Sequence, residues 1–222
     1  MISALNLQLA SHVLALGSDF DNNTSHVFEL LKLQYAAMPT EILETESKKA
    51  IEYDKGLKEM YDLGLEFMSK PYDLNELSQL PDETLGKAYS KHMLDGDLKP
   101  DLYKPHLDLT PSVWLFDRAT ITHDIWHVVC GFDTSVEGEI GINSFYLGQR
   151  PDPAYAFINI AGILSAVSQN NPKNIDSITD AIARGYKMGK NASSLLSVKW
   201  EDIWDKPLLT VRKELNIISE TI

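Results

Sequence analysis

Apolar residues recur at every third or fourth position along most of this chain, a spacing that places them on one face of an α-helix. Leu57, Met60 and Tyr61 follow this spacing in one stretch. The sequence shows no sustained alternation of apolar and polar residues, the pattern of a half-buried β-strand. The pattern therefore predicts an all-α fold, with helices in six stretches: residues 24–38, 47–68, 81–94, 152–167, 174–189 and 205–215.

Prolines separate these stretches. Breaks fall at Pro39 and Pro71, in residues 98–111 and in residues 150–153. Residues 98–111 contain three prolines and are the best candidate for a linker. They are also short enough to form a surface loop, so we predict a single helical domain over residues 1–222.

Composition and charge narrow the classes of partner. Hydrophobic residues make up 44% of the 222 residues, which is enough to build a substantial core. The net charge of -12 argues against a nucleic-acid partner, because phosphates select patches of lysine and arginine. The same charge argues against electrostatic docking on an anionic membrane, although an apolar contact with lipid stays compatible with it.

Targeting and redox features point to the cell interior. Cys130 is the single cysteine, so an intramolecular disulfide is excluded and a reducing compartment is expected. Residues 1–23 contain no lysine or arginine, unlike a secretory signal or a transit peptide. The apolar run at residues 155–167 is too short to span a bilayer. We therefore expect a cytoplasmic protein, or one peripheral to the inner face of a membrane.

Two histidines and an aspartate share one face of a predicted helix. At about 100° per residue, His123, Asp124 and His127 fall within an arc of roughly 100°. Imidazole and carboxylate groups suit zinc, and carboxylates also suit harder cations. These three side chains are therefore candidate ligands of a divalent metal ion.

A predicted helix corner would bring a fourth candidate ligand near them. Gly131 is a typical residue at the C-terminal end of a helix. Residues 134–137 read TSVE, a capping-box pattern in which Thr134 caps a second helix and Glu137 reaches back. Glu139 would then lie about one turn after the corner and His127 about one turn before it. The sequence thus predicts a helix-turn-helix hairpin that binds a metal through His123, Asp124, His127 and Glu139.

A buried polar cluster satisfied by hydrogen bonds is the alternative interpretation of this hairpin. Two residues nearby are weak candidates for contacting a substrate. Arg118 could hold an anion, although a solvated surface arginine is the commoner case, and Tyr146 could line the face that carries Glu139. For Tyr146 core packing comes first, and Cys130 is interpreted as a small core residue before a metal ligand. No role is assigned to the remaining histidines: His12, His26, His92 and His106.

The motif His-Asp-x-x-His-x11-Glu resembles the signature of the ubiquinone (coenzyme Q) biosynthesis protein 4 family. Other segments agree with it: LGKAYSKHMLDGDLKPD (residues 85–101), HVVCGF, GEIGINSFYLGQ and WEDIWDKPLLTVRKELNI (residues 200–217). The resemblance extends over much of the chain from Leu85 onward and is weaker in the first eighty residues. The missing transit peptide suggests a bacterial member, or a mature form of the protein.

The resemblance implies an all-helical protein that associates peripherally with a membrane. Such a protein binds a divalent metal, usually zinc, with magnesium or iron as alternatives, and accommodates a polyprenyl lipid. The implied chemistry is a lyase reaction that removes the carboxylate at ring carbon 1 of a polyprenyl-hydroxybenzoate, with oxidation at that carbon. Other quinone-biosynthesis enzymes and a second copy of the chain, in a homodimer, are the implied protein partners.

Two other functions remain open at the level of sequence. The first is a non-catalytic lipid-binding scaffold that organises quinone-biosynthesis enzymes and carries a structural metal. The second is a metal-dependent phosphohydrolase, suggested by the His-Asp pair. Such enzymes draw further ligands from separate helices, whereas this motif is complete within one hairpin.

Overall fold

The computed structural model describes most of the chain. The described residues are 4–18, 40–64, 72–100, 103–106, 110–150, 153–168 and 172–218. Within these ranges the regular structure is helical, and an isolated bridge between Thr84 and Pro207 is the one strand-like pairing. The predicted all-α class is confirmed. The helix predicted at residues 24–38 lies outside the described residues.

Eleven helical elements, one of them a 3-10 helix, occur in the described residues. In chain order they are α1 (Ala4–Ser18), α2 (Thr40–Tyr53), α3 (Lys55–Leu63), α4 (Leu74–Ser78), α5 (Leu85–Asp95), α6 (Pro111–Cys130), α7 (Val136–Gln149), α8 (Pro153–Ser168), α9 (Pro172–Asn191), a 3-10 helix (Trp200–Asp202) and α10 (Leu208–Glu214). Among the described helices, none combines the length and apolar character needed to cross a bilayer.

Most of the predicted helices are found, with one division that the periodicity did not predict. The stretch at residues 47–68 contains the end of α2 and the whole of α3, which are separated at Asp54. The Asp54 side chain accepts a hydrogen bond from the Leu57 backbone N–H at 3.1 Å and so caps α3. Asp54 therefore starts a new helix within a stretch whose apolar spacing is continuous, and the spacing alone does not reveal this division.

The chain forms two compact units, each built from two separate stretches. The first unit comprises Met1–Thr40 and Phe132–Ala192 and contains α1, α7, α8 and α9. The second comprises Glu41–Gly131 and Ser193–Ile222 and contains the other helices. The chain passes from the second unit to the first directly after α6. That residues 1–222 form a single domain stays a prediction.

Close backbone contact between α7 and α9 organises the first unit. A Cβ atom added at Gly185 would lie 2.1 Å from the carbonyl oxygen of Gly141. One added at Gly189 would lie 2.2 Å from the carbonyl oxygen of Phe145. The two contacts advance by four residues in the same direction on both helices, so α7 and α9 run parallel. Glycine is required here because a side chain would force the two backbones apart.

Helix α8 runs antiparallel to α7 in the same unit. Asn159 Nδ2 donates a hydrogen bond to Ser144 Oγ at 2.9 Å, within the buried interior. Gly162 lies against Ile140, so the contacts move backward along α8 as they move forward along α7. Helix α7 is therefore packed on two sides, which explains why most of its residues are buried.

A buried arginine ties α6 to the 3-10 helix in the second unit. Arg118 is fully buried, and its Nη1 lies 2.8 Å from Oε1 of Glu201. Its Nη2 donates to the Val198 carbonyl oxygen at 2.7 Å. The Tyr72 hydroxyl donates to Glu201 Oε1 at 2.8 Å, and burial followed by the Glu201 charge raises the pKa of Tyr72. The interpretation of Arg118 as a solvated surface residue was wrong, because its partner lies 83 residues away.

A buried carboxylate secures the segment that precedes α6. Asp117 has no exposed surface, and its Oδ1 accepts a hydrogen bond from the Tyr103 hydroxyl at 2.6 Å. Its Oδ2 accepts from the His106 backbone N–H at 2.7 Å, and the His106 ring contributes Nδ1 at 2.8 Å from Oδ1. His106, which had no assigned role, therefore helps to satisfy a carboxylate that has lost its contact with water.

We predict that Gly185→Ala lowers the free energy of unfolding by about 1–3 kcal/mol, because overpacking at this contact outweighs the gain in helix propensity. Chemical denaturation measures the change. Lys187→Ala, at an exposed position of the same helix, is the matched control and should be nearly neutral. A Gly185→Ala variant that is more stable than the unaltered protein would contradict the close approach of α7 and α9.

We predict that Glu201→Ala lowers the free energy of unfolding by about 3–5 kcal/mol, because it leaves the Arg118 charge buried without its carboxylate. Glu214→Ala removes an exposed partner of Lys206 and should cost about 0–1 kcal/mol. Urea titration of both variants makes the comparison. Equal costs for the two substitutions would show that burial does not set the strength of the Arg118 pair.

Candidate metal centre

Helix α6 carries the motif, and contacts at both ends determine where it begins and stops. At its start, Glu44 accepts hydrogen bonds from the Thr110 hydroxyl at 2.7 Å and the Ser112 backbone N–H at 3.2 Å. At its end, Gly131 adopts the left-handed conformation, with φ 76° and ψ 30°, and its N–H donates to the His127 carbonyl oxygen at 2.9 Å. The predicted end of the helix at Gly131 is confirmed.

An arginine from α10 binds the last carbonyl groups of α6. Arg212 donates from Nε to the Val129 oxygen and from Nη2 to the Val128 oxygen, both at 2.9 Å. These carbonyls have no partner within the helix, and they lie at the negative end of its dipole. Arg212 therefore holds the final turn of α6 just beyond His127.

The imidazoles of His123 and His127 face each other one turn apart. Their Nε2 atoms lie 3.1 Å apart, and the rings meet edge to face with centroids 4.7 Å apart and planes inclined by 79°. His127 is buried and His123 is half-buried. Two imidazole nitrogens bound to one zinc ion would be about 2.9–3.4 Å apart, given bonds of about 2.0–2.1 Å and angles between 90° and tetrahedral. The pair therefore fits a shared metal ion.

Asp124 interacts electrostatically with a different neighbour within the second unit. It is half-buried, and its charge acts on the hydroxyl of Tyr89 in α5. Burial first, and the Asp124 carboxylate second, raise the pKa of Tyr89. The structure thus brings the donor nitrogens of His123 and His127 together, whereas the charge of Asp124 acts on Tyr89. That Asp124 is itself a ligand stays a prediction.

His92 contacts the motif, although the sequence analysis gave it no role. It lies on α5, and its ring is 5.7 Å from the ring of His127 between centroids, with planes inclined by 20°. Tyr89 and His92 are three residues apart, as are Asp124 and His127. This equal spacing is the sequence signal for the contact between His92 and His127, and it becomes informative once α5 is known to pack against α6.

Cys130 does not have the character of a metal ligand. It is 2% exposed, and burial raises the pKa of its thiol, which a nearby Arg212 only partly offsets. A metal binds the thiolate, and an apolar site disfavours that form. Cys130 is a core residue at the end of α6.

Glu139 lies in the first turn of α7, in the first unit, and is half-buried. The predicted start of this helix near residue 135 is confirmed, but the predicted cap was wrong. Ser135 caps the helix, and its hydroxyl accepts from the Gly138 N–H at 3.1 Å. Glu137 does not reach back, because its carboxylate accepts a hydrogen bond from Ser177 of α9. That Glu139 completes the metal site stays a prediction.

The two weak substrate candidates have structural contacts. Arg118 is engaged with Glu201 in the interior of the second unit. Tyr146 is 5% exposed and stacks on Tyr155, with centroids 4.5 Å apart and planes inclined by 11°. Both side chains have the burial and contacts of core residues.

Comparison with known proteins identifies relatives over most of the chain. The family described as Coenzyme Q (ubiquinone) biosynthesis protein Coq4 matches residues 65–221. The mitochondrial ubiquinone biosynthesis protein COQ4 of Coprinopsis cinerea is 26% identical over 151 residues, which are 67% of this chain and 51% of that protein. The corresponding Kluyveromyces lactis protein is 25% identical over 151 residues, 67% of this chain and 45% of that protein. The chain thus spans about half the length of these curated relatives.

A solved structure supports the same relationship. The crystal structure of a proposed ubiquinone biosynthesis protein from Nostoc punctiforme superimposes with a TM-score of 0.77 at 28% sequence identity. The match covers 96% of this chain and 97% of that one. The family match includes the whole motif from His123 to Glu139. The chain therefore belongs to the Coenzyme Q (ubiquinone) biosynthesis protein Coq4 family.

Proposed function

We propose that this chain is a metal-dependent enzyme of ubiquinone or prenylquinone biosynthesis. Its reaction would remove the carboxylate at ring carbon 1 of a polyprenyl-hydroxybenzoate, with oxidation at that carbon. Family membership supports a role in ubiquinone biosynthesis. The chain spans about half of each curated relative named above. The activity of a whole relative therefore comes to this chain only as part of the proposal.

The observation that carries the proposal is the approach of the His123 and His127 Nε2 atoms to 3.1 Å on one face of α6. We assign these two residues as the central metal ligands, with Asp124 and Glu139 as the carboxylates of the site. Zinc is the first choice because it accepts imidazole and carboxylate ligands, with magnesium or iron as alternatives.

The proposed reaction breaks the bond between ring carbon 1 and the carboxyl carbon and forms a carbon–oxygen bond in its place. Carbon dioxide leaves, and the ring carbon loses two electrons. With dioxygen as the oxidant, one oxygen atom would enter the ring and the other would leave as water, which takes two further electrons and two protons from an external reductant. A divalent cation would hold the aryl carboxylate and stabilise negative charge that develops on the ring. The chain contributes the orientation of the ligands and a half-buried position that reduces access of water.

The lipid tail of such a substrate needs an apolar surface, and α8 offers part of one. Ile160 is 46% exposed and Val167 is 50% exposed, seven residues apart on the same face of the helix. We assign the polyprenyl tail as a ligand of the first unit on this basis. We also propose that the protein contacts a membrane peripherally, forms a homodimer and associates with other quinone-biosynthesis enzymes. The likeness to the Nostoc punctiforme protein agrees with a bacterial member.

We predict that the purified protein binds one divalent zinc ion per chain, as measured by mass spectrometry of metal content after dialysis. His123→Ala and His127→Ala should each remove most of the bound metal, because each deletes a ligand nitrogen. Asp124→Asn and Glu139→Gln test the two carboxylates in the same assay. His12→Ala is the matched control and should retain the metal. Full metal content in the His127→Ala variant would contradict the assignment.

We predict release of labelled carbon dioxide from a polyprenyl-hydroxybenzoate labelled in its carboxyl group, by the metal-loaded protein with dioxygen and an electron donor present. His127→Ala should lose this activity while remaining folded by circular dichroism. A scaffold with a structural metal would instead show retained prenyl lipid and a large loss of thermal stability on chelation, without carbon dioxide. That result would replace the enzymatic function with the scaffolding one. Phosphate release from phosphate esters would indicate the phosphohydrolase.

A further inference from the structure

The ring of His127 contacts two other imidazoles within the second unit. The ring of His123 meets it edge to face, at 79°. The ring of His92 lies nearly parallel to it, at 20°, with centroids 5.7 Å apart. The motif His-Asp-x-x-His-x11-Glu includes the first contact but leaves out the second. His92 therefore adds to the site a contact from a separate helix, α5.

Orientation of an imidazole ligand depends on rotation about its second side-chain bond. This bond joins an sp³ carbon to a planar ring, and its torsion angle is broadly distributed. The ring of an isolated histidine therefore turns at little cost in free energy. The ring of His92 lies nearly parallel to that of His127 and offset from it, and its contact restricts this rotation. Hydrogen-bonding groups that orient metal ligands typically account for about 10–100-fold of metal affinity, and a neighbouring ring that limits the same rotation is expected to act on this scale.

Neighbouring contacts on α5 support a fixed position for His92. Tyr89, one turn earlier, is 1% exposed and lies near Asp124. Met93, which directly follows His92, has no exposed surface. Since both neighbours are anchored in the core, the backbone at His92 is held in place, and its ring can act as a rigid support.

We propose that His92 is a positioning residue of the metal centre, whose ring keeps the Nε2 atom of His127 directed toward that of His123. This inference rests on the proposed function, because it requires a metal held by the two histidines. The support comes from the face of an aromatic ring. Phenylalanine at this position should therefore replace histidine, whereas an aliphatic side chain should not.

The test compares His92→Phe and His92→Leu in the full-length protein. Zinc affinity is measured by competition with a chromophoric chelator, and ligand geometry is measured by the visible absorption bands of bound cobalt(II). We expect His92→Leu to bind zinc about 10–100-fold more weakly and to show altered cobalt bands. His92→Phe should retain the affinity and the bands of the unaltered protein. Lys91→Leu, at an exposed position of α5, controls for the introduction of leucine.

Three outcomes would overturn parts of this account in different ways. Unchanged zinc affinity in His92→Leu would remove the positioning role and leave the metal site intact. An equal loss in His92→Phe and His92→Leu would show that the His92 nitrogen binds the ion directly, which contradicts positioning by the ring face. No zinc binding by the unaltered protein would overturn the proposed function, and this inference with it. Thermal unfolding of the metal-free variants shows that each is folded.

Discussion

Burial of polar side chains along α6 is the constraint on which the second unit depends. Asp117, Arg118 and His127 are each at most 1% exposed, and an ionisable group removed from water needs a specific partner. Each partner comes from a different place: the segment before α6 for Asp117, the 3-10 helix for Arg118, and α5 and α6 itself for His127. One helix therefore brings distant segments together through polar contacts, and its last two turns carry the candidate metal ligands.

The first unit depends on a different constraint, which is the close packing of helix backbones around α7. Helix α7 contains three glycines and lies in direct backbone contact with α9, while α8 packs across it in the opposite direction. Close contact leaves little freedom for α7 to shift along its axis. Glu139 lies in the first turn of this closely packed helix. Its backbone position is thus set by contacts within the first unit, which suits a residue expected to serve as a ligand.

The sequence predicted those features that depend on neighbours along the chain. Helical periodicity identified the class, Gly131 marked the end of α6, and the spacing of His123 and His127 predicted that they share a face. Features that depend on distant partners were missed. Arg118 was interpreted as solvated because Glu201 lies far along the chain, and His92 received no role because its partner is on another helix. The cap at Ser135 was assigned to Thr134 because two adjacent hydroxyl residues compete for one position, which only the backbone conformation decides.

The central claim is that His123 and His127 bind one divalent metal ion through their Nε2 atoms. Anomalous diffraction from a crystal grown with zinc, recorded on both sides of the zinc absorption edge, tests it most directly. The account predicts one strong anomalous peak at bonding distance, about 2.0–2.1 Å, from the Nε2 atoms of both histidines. A zinc peak elsewhere on the chain, or no peak beside this pair at full zinc occupancy of the protein, would contradict it.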